Sequence, residues 1–366
     1  MRRIIAQARK ELTQITRDRL AIILALILPL CLLLLLGTAI SLTVTGLPMV
    51  VQDLDNSPES RNFTDAFRAS NTFHVVAWPA TIAPAQAFQQ NKARAALIIP
   101  EHFSRDLARG RTTEAQLLID ATDANTAKLI QAYAAQITAA WNALASPRAS
   151  AVKAQIRLWY NPGRDSKKFY GPGIFVLGIS MFPPLLAALA MSKEGEQKTI
   201  LQVYVSSISA HEFLLGKIFA FMIIALAEAA LMMVLLFTYF GLHLVGDPTP
   251  LLVATLLYAF CVSAFGTMLG AAIPSQAAAI QAVSLGGFLL VFLLSGLIFP
   301  VQNIPPGLRW VSSIVWGRYY IEIVRDALLQ GGGWPAMWFN VLMIALIGSV
   351  FYLLAWKRMR RMQLSV

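Results

Sequence analysis

The sequence predicts a polytopic α-helical membrane protein, six transmembrane helices with an inserted extracytoplasmic α/β domain, and three observations carry that reading. From Pro248 to Leu308 the chain holds no Asp, Glu, Lys or Arg, and other long uncharged stretches flank this one. The composition is 57% hydrophobic and only 13% charged, with a mean hydropathy of +0.60, which excludes a soluble globular chain. Basic residues crowd both ends: Arg2, Arg3, Arg9, Lys10, Arg17 and Arg19 precede the first apolar run, and Lys357, Arg358, Arg360 and Arg361 follow the last. A span needs about 20 apolar residues to cross about 30 Å of hydrocarbon, where a central charge costs about 3 kcal/mol. Since Lys and Arg mark the cytoplasmic side, both termini are expected there and the number of spans is even. The net charge of +11 has this explanation, and no nucleic-acid partner is expected.

In chain order, residues 1–19 place Ile4, Ile5, Ala8, Leu12 and Ile15 at helical spacing opposite Arg and Lys. This predicts an amphipathic helix on the inner leaflet, with a cytoplasmic extension of the first span as the alternative. Residues 20–46 hold the first span, whose apolar run is too long for a signal-peptide core. Residues 47–168 read as an ordinary soluble mixture, in which short apolar runs (Met49 to Val51, Phe73 to Trp78, Ala95 to Ile99, Gln116 to Ile119, Ala154 to Tyr160) alternate with helical stretches, the clearest from Asn125 to Leu144. That alternation predicts an α/β domain, placed outside by one crossing. Residues 169–366 supply five more spans, the second of the chain being Phe169 to Ser192. A charged cytoplasmic loop, 193–217, follows it, then a span from Ile218 to about Leu244. Two spans occupy the uncharged block, broken near Ile273, Pro274 and Ser275. The stretch 301–333 is too polar to cross and predicts outward-side helices dipping into the membrane edge, which requires that protein cover them. The last span takes about Ala336 to Trp356. Cys31 and Cys261 lie in apolar stretches as small hydrophobes.

Chemistry is scarce. There is no G-x-x-x-x-G-K-[ST] phosphate loop, so any energy from ATP must come from another polypeptide. His74, His102, His211 and His243 lack ligand-like spacing, no G-x-S-x-G elbow occurs, and no catalytic, cofactor or metal residue is expected in this chain. Glu228 is an acid inside an apolar span, which suggests a functional group or, equally, an interhelical hydrogen bond. Asp53 and Asp55, followed by Asn56, Ser57 and Pro58, fit Asx-turn chemistry. Asp120, Asp123 and Asn125 fit a turn and helix cap.

The plan resembles the permease subunits of type-2 ABC transporters, the bacterial group with a large external domain of drug-exporter type. That family's inner loop reads like R-E-R-E-x-G-T-x-E-x-L-L-x-S-P, then a Glu and a Lys. Here Glu194, Glu196, Thr199, Ser206, Glu212 and Lys217 match, while Gly195, Lys198, Leu201 and Ser207 depart from the usual Arg, Gly, Glu and Pro. Val51, Asp53, Asp55 and Ser57 resemble the opening strand and D-x-D-x-S turn, and Arg157 to Tyr160 with Asn161 and Pro162 resemble the aromatic N-P entry into the second span. Leu294, Ser295, Gly296, Phe299, Pro300, Pro305, Arg318, Tyr319, Leu328 and Gly331 fit the pattern before the last span, with Trp316 where Pro is common.

The resemblance implies a non-enzymatic half-transporter in the inner membrane. Two permeases, copies or paralogues, would sit as a dimer on ABC ATPase subunits that bring the ATP and Mg, and a periplasmic adaptor (membrane fusion) protein is a further implied partner. Coupling to the ATPase would fall to Glu194, Glu196, Lys198, Thr199, Glu212 and Lys217, with Glu194, Glu196 and Lys198 on a short exposed helix. A pathway for hydrophobic or amphipathic compounds such as drugs would involve Glu228, Phe288, Phe292 and Ser295. The alternatives are export of a lipid, glycan or ion, a receptor or anchor with an external ligand-binding domain, and a proton-coupled transporter using Glu228. The last would call for more intramembrane ionisable groups or repeated halves.

Overall fold

The computed structural model describes residues 1–39, 46–79, 82, 84–90, 92–120, 124–145, 166–197, 208–298, 301 and 304–362. The chain divides into two units, Met1–Ser41 with Leu158–Val366, and Leu42–Arg157. The first begins with helix α1, Arg2–Arg17. It stops because Asp18 turns extended (φ −96, ψ 102), and the Asp18 carboxylate accepts from the amides of Leu20 and Ala21, capping the next helix. That helix is α2, Arg19–Thr38, with one π turn at Ile23–Ile27. Leu12 and Ile15 of α1 pack on Ala21, Ala25, Leu186, Phe221 and Ile224, so the apolar stripe expected on the leaflet is covered largely by the spans themselves. Ile5 remains exposed.

The second unit is a four-stranded sheet in the order β2-β1-β3-β4. Strand β1, Leu47–Asp53, pairs in parallel with β2, Phe73–Val76, and with β3, Ala95–Ile99; β4, Gln116–Ile119, is antiparallel to β3. Helix α3, Pro58–Arg68, makes the crossover from β1 to β2, and the short α4, Ala85–Gln89, that from β2 to β3. After β3 come α5, Phe103–Ala108, and, beyond β4, α6, Ala124–Ala145. Successive strand residues face opposite sides. Met49, Ala95, Leu97 and Ile99 therefore join Phe63, Phe67, Phe73 and Phe103 with Trp141 against them, while Val50 and Ala96 join Ala87 and Ala93 on the other face. Asp53 accepts from the amides of Asp55 and Asn56 and from Ser60 Oγ, the turn that opens α3, whose start is a Ser57–Ser60 capping box. Asp120 pairs with Arg94. The run from Ala154 to Tyr160, the entry at Asn161 and Pro162, and Asp123 lie outside the described residues.

The first unit resumes with α7, Ser166–Glu196, the most deeply buried of the six candidate spans. It continues four residues past Ser192, because Lys193 and Glu194 are sound helix formers and the first glycine comes at Gly195. Glu194 and Glu196 thus belong to the end of a span helix. Helix α8, Ala210–Thr238, and α9, Thr249–Ala272, follow, then α10, Gln276–Leu294, with a π turn at Ser284–Leu289. The break at Ile273 to Ser275 lies where Pro274 predicts it. On α9, Gly266 faces the backbone of Pro184, and Gly270 that of Ala188, a small-xxx-small contact bringing α9 onto α7. The buried Tyr258 of α9 bonds Ser180 of α7.

After α10 come α11, Pro306–Ser312, and α12, Trp316–Arg325, which runs into a π turn at Asp326–Gln330. They close the end of α10: Ser312 Oγ donates to the Leu294 carbonyl at 2.7 Å, and Arg325 Nη1 to that of Gly296 at 3.0 Å. Trp316, Tyr319, Tyr320, Ile321 and Val324 of α12 are buried in the main core, and Tyr320 stacks on Tyr258 at 4.1 Å, so protein covers α12, whereas α11 leaves Leu308 and Trp310 exposed. The chain turns at Gly331 (φ 75), with Asp326 accepting from the amides of Gly332 and Gly333. Helix α13, Trp334–Met362, returns along α9. Its Met359 packs with Met191, Ala210 and Phe213, while Lys10 reaches Glu194, so residues near both termini sit at one end of the bundle.

Candidate functional site

At that basic end three elements converge on Lys217, whose side chain is 1% exposed. Its ammonium donates to Glu11 Oε1 of α1 at 2.8 Å and to the Ala190 carbonyl of α7 at 3.4 Å, and stands 3.2 Å from Glu194 Oε1. Gln7 Nε2 donates to Glu11 Oε1 at 2.9 Å, and Lys10 Nζ to Glu194 Oε1 at 3.1 Å. Two carboxylates and two ammonium groups thus neutralise one another where an unpaired charge would cost several kcal/mol. The preceding residue, Gly216, is a close approach: a Cβ there would lie 2.6 Å from Gln7 Cβ and 3.1 Å from the Ile4 carbonyl oxygen.

The structure therefore divides the predicted coupling residues. Glu194 and Lys217 are joined inside this network. Glu212 caps α8 by accepting from the Ser209 amide at 3.1 Å, with Arg3 at 3.7 Å. Glu196 is exposed and accepts from Gln276 Nε2 at 2.7 Å, tying the end of α7 to the start of α10. Lys198 and Thr199 lie outside the described residues. Sequence reading missed Glu11, Gln7, Lys10 and Gln276. Glu11 carried a signal, since with Gln7 it interrupts the apolar stripe of Ile4, Ala8, Leu12 and Ile15, and an acid on a buried face needs a cation.

Of the predicted pathway residues, Glu228 stands on α8, and Phe288, Phe292 and Ser295 stand toward the end of α10. Glu228 is buried in α8, with neither carboxyl oxygen hydrogen-bonded, against Gly178 of α7 and the neighbouring Met232. Phe288 and Phe292 stack at 5.7 Å on α10, half-buried against the main core, and Ser295 closes that helix with a buried hydroxyl that finds no partner. Helices α2, α10 and α13 leave most of their apolar surface exposed.

The family described as ABC-2 family transporter protein matches residues 19–357. The chain is 25% identical over 366 residues to the probable multidrug ABC transporter permease YbhS of Escherichia coli K12, covering 98% of this chain and 97% of that protein. It is 26% identical over 360 residues to the probable multidrug ABC transporter permease YbhR of the same organism, covering 94% and 95%. With the inner membrane transport permease YhhJ, also of that organism, it shares 23% identity over 280 residues, 73% and 72% of the two chains.

Proposed function

The chain belongs to the ABC-2 family of transporter proteins, and on that premise we propose that it is the permease subunit of an exporter that moves hydrophobic or amphipathic compounds, drugs among them, out across the cytoplasmic membrane. The end-to-end similarity to two multidrug permeases carries this reading. A separate ATPase subunit, binding ATP and Mg, supplies the energy, and two permeases, identical or paralogous, form the pathway. The largely exposed apolar faces of α2, α10 and α13 support a second copy as well as a lipid boundary. Residues near both termini gather at one end of the bundle, and the basic residues there support a cytoplasmic orientation, with residues 47–168 on the periplasmic side.

Among the described residues the surface offered to the ATPase centres on Glu196 and Gln276, because Glu194 and Lys217 are engaged internally and Glu212 caps its own helix. ATP binding would draw the ATPase subunits together and shift the permease between states that differ in their contacts. The test is purification of the tagged chain from its native host in mild detergent, with the bound proteins identified and ATP-driven export compared between wild type and Glu196→Arg. A stoichiometric nucleotide-binding partner, with export weakened by the reversal, is expected. Absence of such a partner would overturn the reading.

A further inference from the structure

We propose that Arg325 is an anion-binding group at the outward end of the bundle, and that it takes the carboxylate or phosphate head of an amphiphile whose tail lies along α10. This rests on the exporter reading above for the ligand's role as cargo, and it narrows that cargo to amphipathic anions. Four observations carry it. Arg325 Nη1 donates to the Gly296 carbonyl at 3.0 Å, whereas Nε and Nη2 are buried and bond to no described residue. Those two atoms form one edge of the guanidinium, the fork that fits two oxygens of a carboxylate or phosphate. Phe169 closes one face of the group, its ring centre 4.4 Å from Cζ, and Gly173, one turn along α7, keeps side-chain atoms back from the fork, since a Cβ there would stand 3.8 Å from Nη2. Among the described residues no carboxylate pairs with this guanidinium: Glu322 accepts from Asn340 Nδ2 at 2.9 Å and stands 3.9 Å from Arg318 Nε, and Asp326 accepts from the amides of Gly332 and Gly333. Lys167 and Lys168, just before Phe169, add to the positive charge at this end. Finally, Leu285, Leu289 and Leu293 are exposed on α10, an apolar track that ends one turn before Gly296.

Anchoring the end of α10 calls for a single donor, which Lys or Gln would supply. A guanidinium held out of water with its fork unused is costly, and an anion seated in the fork offsets that cost. A neutral head of the same shape does not, so the site discriminates by charge.

The experiment uses the full chain in an uncharged detergent. The probes are dansyl-labelled undecanoic acid, in its ionised form, and its methyl ester, with binding read from dansyl fluorescence in wild type and Arg325→Gln. Wild type should bind the acid at least about tenfold more tightly than the ester, as a charge-assisted fork provides, and the variant should lose that preference while still binding the ester. Equal affinity of wild type for acid and ester would overturn the proposal, and this comparison needs no variant to fold. A preference kept in Arg325→Gln places the anion elsewhere and defeats it too. Competitors separate the sources: displacement by dioleoyl phosphatidic acid alone supports an amphiphile's head, whereas displacement by inorganic phosphate at equal concentration means a free anion and refutes it. The same probes are then followed in vesicles that hold the chain with its co-purified ATPase subunit. ATP should drive export of the acid in wild type, and an acid that binds but stays put while the ester moves would end its role as cargo. Failure of any ATPase to co-purify would overturn the exporter reading and leave the binding result standing.

Discussion

Gly266→Ala isolates the contact on which the packing of α9 against α7 depends. A Cβ at position 266 would stand 2.2 Å from the Pro184 carbonyl oxygen and 2.6 Å from Pro184 Cα. The methyl therefore intrudes by about 1 Å into atoms that normally meet at about 3.5 Å. Those atoms cannot rotate away, because they are backbone, and Pro183 and Pro184 fix two successive φ angles. Overpacking costs about 1–3 kcal/mol, and a clash with rigid backbone belongs at the upper end. About 3 kcal/mol, roughly a hundredfold in the folding equilibrium, is expected. Unfolding by SDS in mixed micelles, followed by tryptophan fluorescence, measures it. Two glycines serve as internal references. At Gly286 a Cβ would lie 3.5 Å from Phe265 Cζ, an ordinary contact, and Gly286→Ala should change stability by about 0.5 kcal/mol or less. At the exposed Gly307 nothing lies within 4 Å, and Gly307→Ala should stabilise α11 by about 0.5–1 kcal/mol. If Gly266→Ala unfolds at the same SDS fraction as Gly286→Ala, the close approach is not a constraint and the reasoning fails.

Phe67→Ala, removing a ring 1% exposed between Phe63 and Phe73, should cost the α/β unit about 3–5 kcal/mol and speed proteolysis of that unit in the intact chain; unchanged cleavage would contradict the packing. Glu228→Met replaces two unbonded buried oxygens with hydrocarbon and should be neutral or stabilising by about 1 kcal/mol in the SDS assay, whereas a loss larger than that would reveal a partner for the carboxyl. Burial alone would raise the Asp55 carboxyl, but hydrogen bonds from Ser57 and Ser104 and the nearby His102 hold it below the usual carboxylate range. The stabilisation is therefore present above the unfolded pKa and disappears as pH falls through the folded one, so Asp55→Asn should lower the α/β unit's stability at neutral pH and flatten the acid limb of its unfolding curve.

Hydropathy made the membrane architecture legible. Six apolar runs became six helices, and Pro274 marked a break where the structure has one, because it removes a donor a helix needs. Strands β3 and β4 match their expected bounds to the residue, since both are short apolar runs bounded by turn residues. Interactions across the chain were not legible. Glu194 and Lys217 fit a family pattern, and a pattern in one loop says nothing of Glu11, which lies 206 residues before Lys217 and meets it only in three dimensions. Helix α7 runs on past Ser192, where its apolar run ends, because Lys193 and Glu194 are good helix formers and charge limits the span rather than the helix.

The π turns at Ile23–Ile27 and Ser284–Leu289 carry a consequence for the two spans that hold them. In α2 the buried residues are Ala21, Ala25, Pro29, Leu33 and Gly37; in α10 they are Ala279, Val283, Gly287, Val291 and Ser295 at its cap. Each series steps by four. In a regular helix of 3.6 residues per turn such a series creeps around the axis by about 40° per step, and its two ends would face different neighbours. The wider π ring advances less per residue and takes back part of that creep, keeping each line on one seam. A helical wheel drawn for either span therefore mixes its faces. Inserting one residue after Leu289, carried as plain α-helix, would swing Val291 and Ser295 by about 100° relative to Ala279, unzipping half the seam while leaving the span apolar and long enough to insert.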